Sequence, residues 1–100
     1  MVTVTLLGTA ATMPLPDRAL TAALVSWGGH SLLLDCGEGT QAAAVKAGVS
    51  LSKLEAICLT HYHGDHVFGL PGLLQTIGCQ GRTAPLLLTG PKGLESFWSV

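Results

Sequence analysis

Four side chains of metal-ligand type fall within six residues: His61, His63, Asp65 and His66, in the run His61-Tyr62-His63-Gly64-Asp65-His66. On an extended backbone, residues two apart point the same way, so His61 and His63 can share one ion. Gly64 permits a sharp turn, which would aim Asp65 and His66 at a neighbouring position. Imidazole nitrogens with a carboxylate suit a Lewis-acidic ion; zinc fits best, and manganese or iron also accept this set. An ion with an open position lowers the pKa of bound water from about 15.7 toward about 7, and two ions about 3.5–4 Å apart can hold both the attacking and the departing oxygen of a phosphodiester. The spacing is not that of H-E-x-x-H, which needs a helix to align its histidines. The plain alternative is a solvated histidine-rich loop. Its place directly after a buried strand argues against that, because active sites of α/β folds collect at strand ends.

Four donors do not complete two ions, each of which needs about four ligands. The only other histidine, His30, reads as an exposed or satisfied strand-end residue. The missing ligands are therefore expected beyond Val100, on another chain, or nowhere.

The elements that must hold this loop are legible in the hydrophobic pattern. Val2, Val4 and Leu6 alternate with Thr3 and Thr5, a strand with one buried face, ended by Leu7-Gly8-Thr9. Ala10 to Ala19 reads as a loop broken by Pro14 and Pro16. Thr21 to Trp27 and His30 to Asp35 read as strands joined by a Gly28-Gly29 hairpin. Thr40 is expected to cap a helix from Gln41 to Ala47, with Gly48 closing it. Glu55 to Thr60 is the strand that feeds the histidine loop. A helix over about Pro71 to Ile77, a strand over Leu86 to Thr89 and a helix from Lys92 onward complete the pattern.

Composition narrows the class. The 100 residues are 48% hydrophobic and 11% charged, which fits a globular α/β core, at most one domain over residues 1–100, and argues against disorder. So apolar a short chain implies missing partner surface. The net charge is −1 and the five basic residues are scattered, so no basic patch announces nucleic acid. Cys36, Cys58 and Cys79 form no C-x-x-C pair and read as buried, reduced thiols, consistent with a cytoplasmic location. No signal peptide is expected, and no apolar run approaches the roughly 20 residues that span a membrane.

His61-Tyr62-His63-Gly64-Asp65-His66 resembles the H-x-H-x-D-H motif of the metallo-β-lactamase superfamily, and Leu34-Asp35-Cys36-Gly37 resembles its earlier aspartate at a strand end. Finer blocks resemble ribonuclease Z, the tRNA 3′-processing endonucleases: Leu7-Gly8-Thr9, Leu34-Asp35-Cys36-Gly37-Glu38-Gly39-Thr40-Gln41, Thr60-His61-Tyr62-His63-Gly64-Asp65-His66, Phe68-Gly69-Leu70-Pro71-Gly72-Leu73-Leu74 and Gly90-Pro91-Lys92-Gly93-Leu94. The resemblance covers essentially the whole chain but only the amino-terminal part of that family's length. It implies a four-layer αββα sandwich of which this chain is one portion. It also implies a two-zinc endoribonuclease that removes the 3′ trailer from precursor tRNA and leaves a 3′-hydroxyl, working as a homodimer. His61 and His63 would then bind one zinc, Asp65 and His66 the second, and Asp65 would also transfer the proton.

Asp35 is expected either to orient a ligand histidine or to serve as a hydrogen-bonded loop residue. Glu38, between two glycines, reads as structural. The family often has Arg-Asn where this chain has Arg18-Ala19, which leaves Arg18 as a phosphate contact or a solvated loop residue, and its tRNA-gripping arm is not visible. The other readings are a different superfamily hydrolase (thioester, lactone or sulfate ester) and a non-catalytic fragment that binds one ion or a partner.

Overall fold

The computed structural model describes residues 1–10 and 19–94, except for the side chain of Asp65. Among the described residues nine elements follow in order: β1 (Val2–Ala10), β2 (Ala19–Leu20), β3 (Ala22–Trp27), β4 (His30–Leu34), α1 (Thr40–Ala47), β5 (Ala56–Cys58), α2 (Gly64–Val67), α3 (Leu70–Cys79) and β6 (Leu87–Thr89). The strands make one mixed sheet in the order β2-β1-β3-β4-β5-β6. β1, β3 and β4 are antiparallel neighbours, while β4, β5 and β6 run parallel.

The pairing register sorts the side chains onto two faces, because residues opposite one another across a sheet point to the same side. Leu24, Leu33, Ile57 and Leu88 form one row. This face carries the core: Leu33 is 0% exposed and clusters with Leu54, Leu70, Leu73 and Ile77. Leu70, Leu73 and Ile77 recur on one side of α3, at the spacing that gives a helix its buried stripe. The other face carries the row Val4, Val25, Leu32, Ala56 and Leu87, with Leu6, Ala23 and Leu34 beside it. It is apolar yet open: Val4 is 59% exposed, and Val2, Leu6 and Leu87 are exposed too. Among the described residues nothing covers it, as expected for one sheet of a two-sheet sandwich.

Local chemistry explains where elements start and stop. Gly28 and Gly29 both take positive φ and turn β3 into β4, as their sequence predicts. β4 ends at Leu34 because Asp35 adopts a left-handed conformation, with φ 61. Several expectations need correction. β1 runs on through Leu7-Gly8-Thr9 to Ala10, with an irregular register at Gly8, because the chain there pairs with β2. A Cβ on Gly8 would sit 1.7 Å from the Leu20 carbonyl oxygen, so only glycine allows that approach. Thr40 does not cap α1 from outside. Gly39 occupies that position, and Thr40, already helical, donates its hydroxyl to the Gly37 carbonyl at 2.7 Å. Gly48 closes α1 in the left-handed conformation, as expected. Lys92 and Gly93 form a turn, with Gly93 at φ 101, so no helix starts at Lys92, and the residues after Leu94 lie outside the described ones. Of the expected Ala10–Ala19 loop, both end residues belong to strands, and Arg18 with the rest lies outside the described residues.

Candidate metal-site loop at the strand ends

β4 and β5 are parallel, so their carboxyl ends lie side by side, and the chain leaves each of them at the same edge of the sheet. Asp35 follows β4 directly; Thr60 and His61 follow β5 two and three residues past its end. The Asp35 N–H donates to the Cys58 carbonyl at 2.9 Å, which closes the two strand ends together. The buried carboxylate of Asp35 then gathers the histidine loop. Its Oδ1 accepts the Thr60 N–H at 2.8 Å, its Oδ2 accepts the Thr60 hydroxyl at 2.8 Å, and Oδ2 also lies 2.9 Å from His66 Nδ1. Asp35 is therefore a hydrogen-bonded partner of the His66 ring, an arrangement that both of its sequence readings allow.

The loop is locked from its far side too. The Cys36 N–H donates to the His66 carbonyl at 2.8 Å, and the Gly69 N–H donates to the Cys36 carbonyl at 2.9 Å. This backbone pairing presses the α2–α3 junction onto the loop after β4. A Cβ on Gly69 would stand 2.2 Å from the Gly37 carbonyl oxygen, which is why that block needs glycine. The Tyr62 hydroxyl donates to the Pro91 carbonyl and ties the loop to the turn after β6.

These constraints bring three of the four predicted residues together. The His61 and His63 rings meet edge-to-face with centroids 4.7 Å apart, as their spacing implies. The His66 ring lies 3.9 Å from that of His61. Gly64 makes no isolated turn. It starts the short helix α2, with extended His63 just before it, and this helix carries His66 back over His61. Asp65 lies on α2 between them; its side chain lies outside the described atoms. The donor types fit zinc, and His66 is already anchored through one ring nitrogen. Among the described residues, no group of three or more His, Cys, Asp or Glu side chains is arranged as a ready-made ion site.

The structure also supplies a residue that sequence reasoning left without a role. The Thr60 hydroxyl touches both Asp35 and, at 3.0 Å, His61 Nδ1. Its signals in the sequence are its place next to His61 and its membership of the block Thr60 to His66 that resembles ribonuclease Z. Beside it, Cys36 is fully buried, and burial, with a smaller push from the charge of Asp35, raises its thiol from 9.0 to about 11. Cys58 is half-buried and Cys79 is exposed, so the expectation of three buried thiols holds in full only for Cys36. Glu38 is exposed in the loop before α1, and its backbone carbonyl accepts the Leu20 N–H. His30 sits at the opposite end of β4, exposed and paired with Glu55, and takes no part in the cluster.

The family model described as Anti-Pycsar protein Apyc1 matches residues 2–100. The chain belongs to this family. It is also a homologue of ribonuclease Z, as its motifs imply. Ribonuclease Z of Lachnoclostridium phytofermentans is 56% identical over 100 residues, covering 100% of this chain and 33% of the relative. That of Agathobacter rectalis is 53% identical over 94 residues, covering 94% of this chain and 31% of the relative. The chain thus spans about a third of the length of these curated relatives. Among solved structures, the short form of human tRNase Z matches with a TM-score of 0.88 and 44% identity, over 99% of this chain and 39% of that one. The metallo-β-lactamase fold protein YhfI from Bacillus subtilis matches with a TM-score of 0.82 and 28% identity, over 98% of this chain and 42% of that one. The Apyc1-family chain therefore carries part of the metallo-β-lactamase fold. No helix among its described residues is long and apolar enough to cross a membrane.

Proposed function

We propose that this chain carries the histidine-loop half of the active site of a ribonuclease Z-type endoribonuclease, which removes the 3′ trailer from precursor tRNA and leaves a 3′-hydroxyl. The observation that carries the reading is the convergence of His61, His63 and His66 at the strand ends, anchored by Asp35. In it, His61 and His63 hold one zinc, Asp65 and His66 a second, and donors from outside these 100 residues complete both. Zinc bound there supplies Lewis-acid activation of water and stabilises negative charge on the phosphodiester oxygens. Asp35 fixes the plane of the His66 ring, and Asp65 holds and passes on the proton of the attacking water. Homodimerisation and a cytoplasmic location belong to the same reading.

The match to the Apyc1 family model gives a second reading, an anti-Pycsar protein, on the same residues. Identity above 50% to curated ribonuclease Z sequences favours the first. A chimera decides: residues 1–100 of this chain replace the matching third of the Lachnoclostridium phytofermentans enzyme. The expected outcome is zinc-dependent cleavage of a precursor tRNA at the base of its trailer, and a dimer by light scattering. A folded, zinc-loaded chimera that leaves the precursor intact would exclude the ribonuclease reading. The 100 residues alone are expected not to cleave it.

A further inference from the structure

Thr60 stands between the buried carboxylate and the first histidine of the loop. Its Oγ1 lies 2.8 Å from Asp35 Oδ2, 3.1 Å from Asp35 Oδ1 and 3.0 Å from His61 Nδ1. A hydroxyl has one proton to give and lone pairs to receive, whereas a carboxylate only receives. The Thr60 proton is therefore directed to Asp35, and a lone pair of Oγ1 faces the ring. Two heavy atoms at hydrogen-bond distance need a proton between them, so it resides on His61 Nδ1. The same carboxylate accepts from His66 Nδ1 directly, at 2.9 Å. In a neutral His61 ring Nε2 is then the nitrogen that carries the lone pair.

We propose that Thr60 is a positioning residue that passes the hold of Asp35 on to His61, so that one buried carboxylate sets the tautomer of two imidazoles at once. A metal-binding histidine is commonly fixed by a partner on its other ring nitrogen. Here His66 has such a partner in Asp35, and His61 reaches the same Asp35 through a hydroxyl. The backbone supports the arrangement, because the Thr60 N–H is itself held by Asp35 Oδ1 at 2.8 Å, which fixes where the hydroxyl starts. The tautomer assignment stands on the hydrogen-bond geometry alone; its use in preparing Nε2 for an ion rests on the zinc reading above.

Long-range proton–nitrogen NMR correlations of the nitrogen-15-labelled chain, at a pH where the rings are neutral, read the tautomers directly. His61 and His66 are both expected as Nδ1–H. In Thr60→Val, which keeps the branched shape but lacks the hydroxyl, His61 loses the Nδ1–H preference while His66 keeps it. Thr60→Ser restores the wild-type pattern. A merely structural role for Thr60 would not separate the two rings in this way. In the zinc-loaded chimera, Thr60→Val should weaken zinc binding about tenfold and Thr60→Ser should leave it near wild type. His61 found as Nε2–H in the wild type, or as Nδ1–H in Thr60→Val, overturns the proposal. Should Thr60→Val fail to fold, the wild-type spectrum and Thr60→Ser still decide it. Correct tautomers without zinc binding would leave the inference standing and refute the zinc reading instead.

Discussion

The parallel strands β4 and β5 carry a histidine–carboxylate pair at each end, and the two pairs have little in common beyond their atoms. At the amino-terminal end, His30 Nδ1 meets Glu55 Oε1, with both side chains 55% exposed. At the carboxyl-terminal end, His66 Nδ1 meets Asp35 Oδ2, with the side chains 18% and 6% exposed. Water screens the first pair and competes for each partner, so its net contribution is small. The second is shielded, and its carboxylate also receives the Thr60 N–H and hydroxyl. The distinction lies in the surrounding chain. Glu55 and His30 flank open strand starts, whereas Asp35 is wrapped by the Cys36–His66 and Gly69–Cys36 backbone bonds. Position in the fold, more than residue type, makes one pair an anchor for a candidate ion site and the other a surface contact.

Breaking the buried pair should have the largest effect. Asp35→Asn keeps a side chain that tolerates positive φ but removes the charge that three donors use. The expected loss is about 1.5–3 kcal/mol of stability in chemical denaturation, together with about 10–100-fold weaker zinc binding in the chimera. Unchanged values for both would remove Asp35 from its anchoring role.

An alkaline titration distinguishes the two ends next. The unfolded thiol of Cys36 ionises near 9.0, while the folded thiol stays protonated to about 11. Between these values the unfolded state sheds a proton that the native state retains, so its stability is complete below pH 9 and falls as the pH rises toward 11. The decline should be on the order of 2 kcal/mol, and Cys36→Ala should flatten this part of the curve. Chemical denaturation at stepped pH measures it. The exposed pair is the smallest case. Glu55→Gln should shift stability by no more than about 0.5 kcal/mol and leave zinc binding unchanged. A loss comparable to that of Asp35→Asn would make the two ends equivalent after all.

The two ends were not equally legible in the sequence. The histidine loop was readable because its information is local: a strand pattern stops, and ligand-type residues follow at a spacing that an extended chain can use. Gly28-Gly29 and Gly48 were readable for the same reason, each meeting a local demand for positive φ. The grip of Asp35 on His66 spans 31 residues and depends on β4 and β5 lying side by side, so spacing left it open between two roles. Thr60 stands in the block that resembles ribonuclease Z, but a threonine after a strand has many ordinary uses, and only its contacts with Asp35 and His61 give it a role. The parallel pairing of β2 with β1 escaped for a similar reason, since two residues carry no period and the decisive fact is the bare backbone of Gly8 against Leu20. The uncovered sheet face was foreshadowed by the apolar composition, although only the register shows which side chains form it.

The claim that the carboxyl-terminal end of β4 and β5 holds the ion is tested most directly by the zinc content of the purified chimera, measured by mass spectrometry of the metal. Wild type and His30→Ala should retain the same zinc per chain, and His61→Ala should lose it. Full zinc in His61→Ala, or its loss in His30→Ala, would contradict the account.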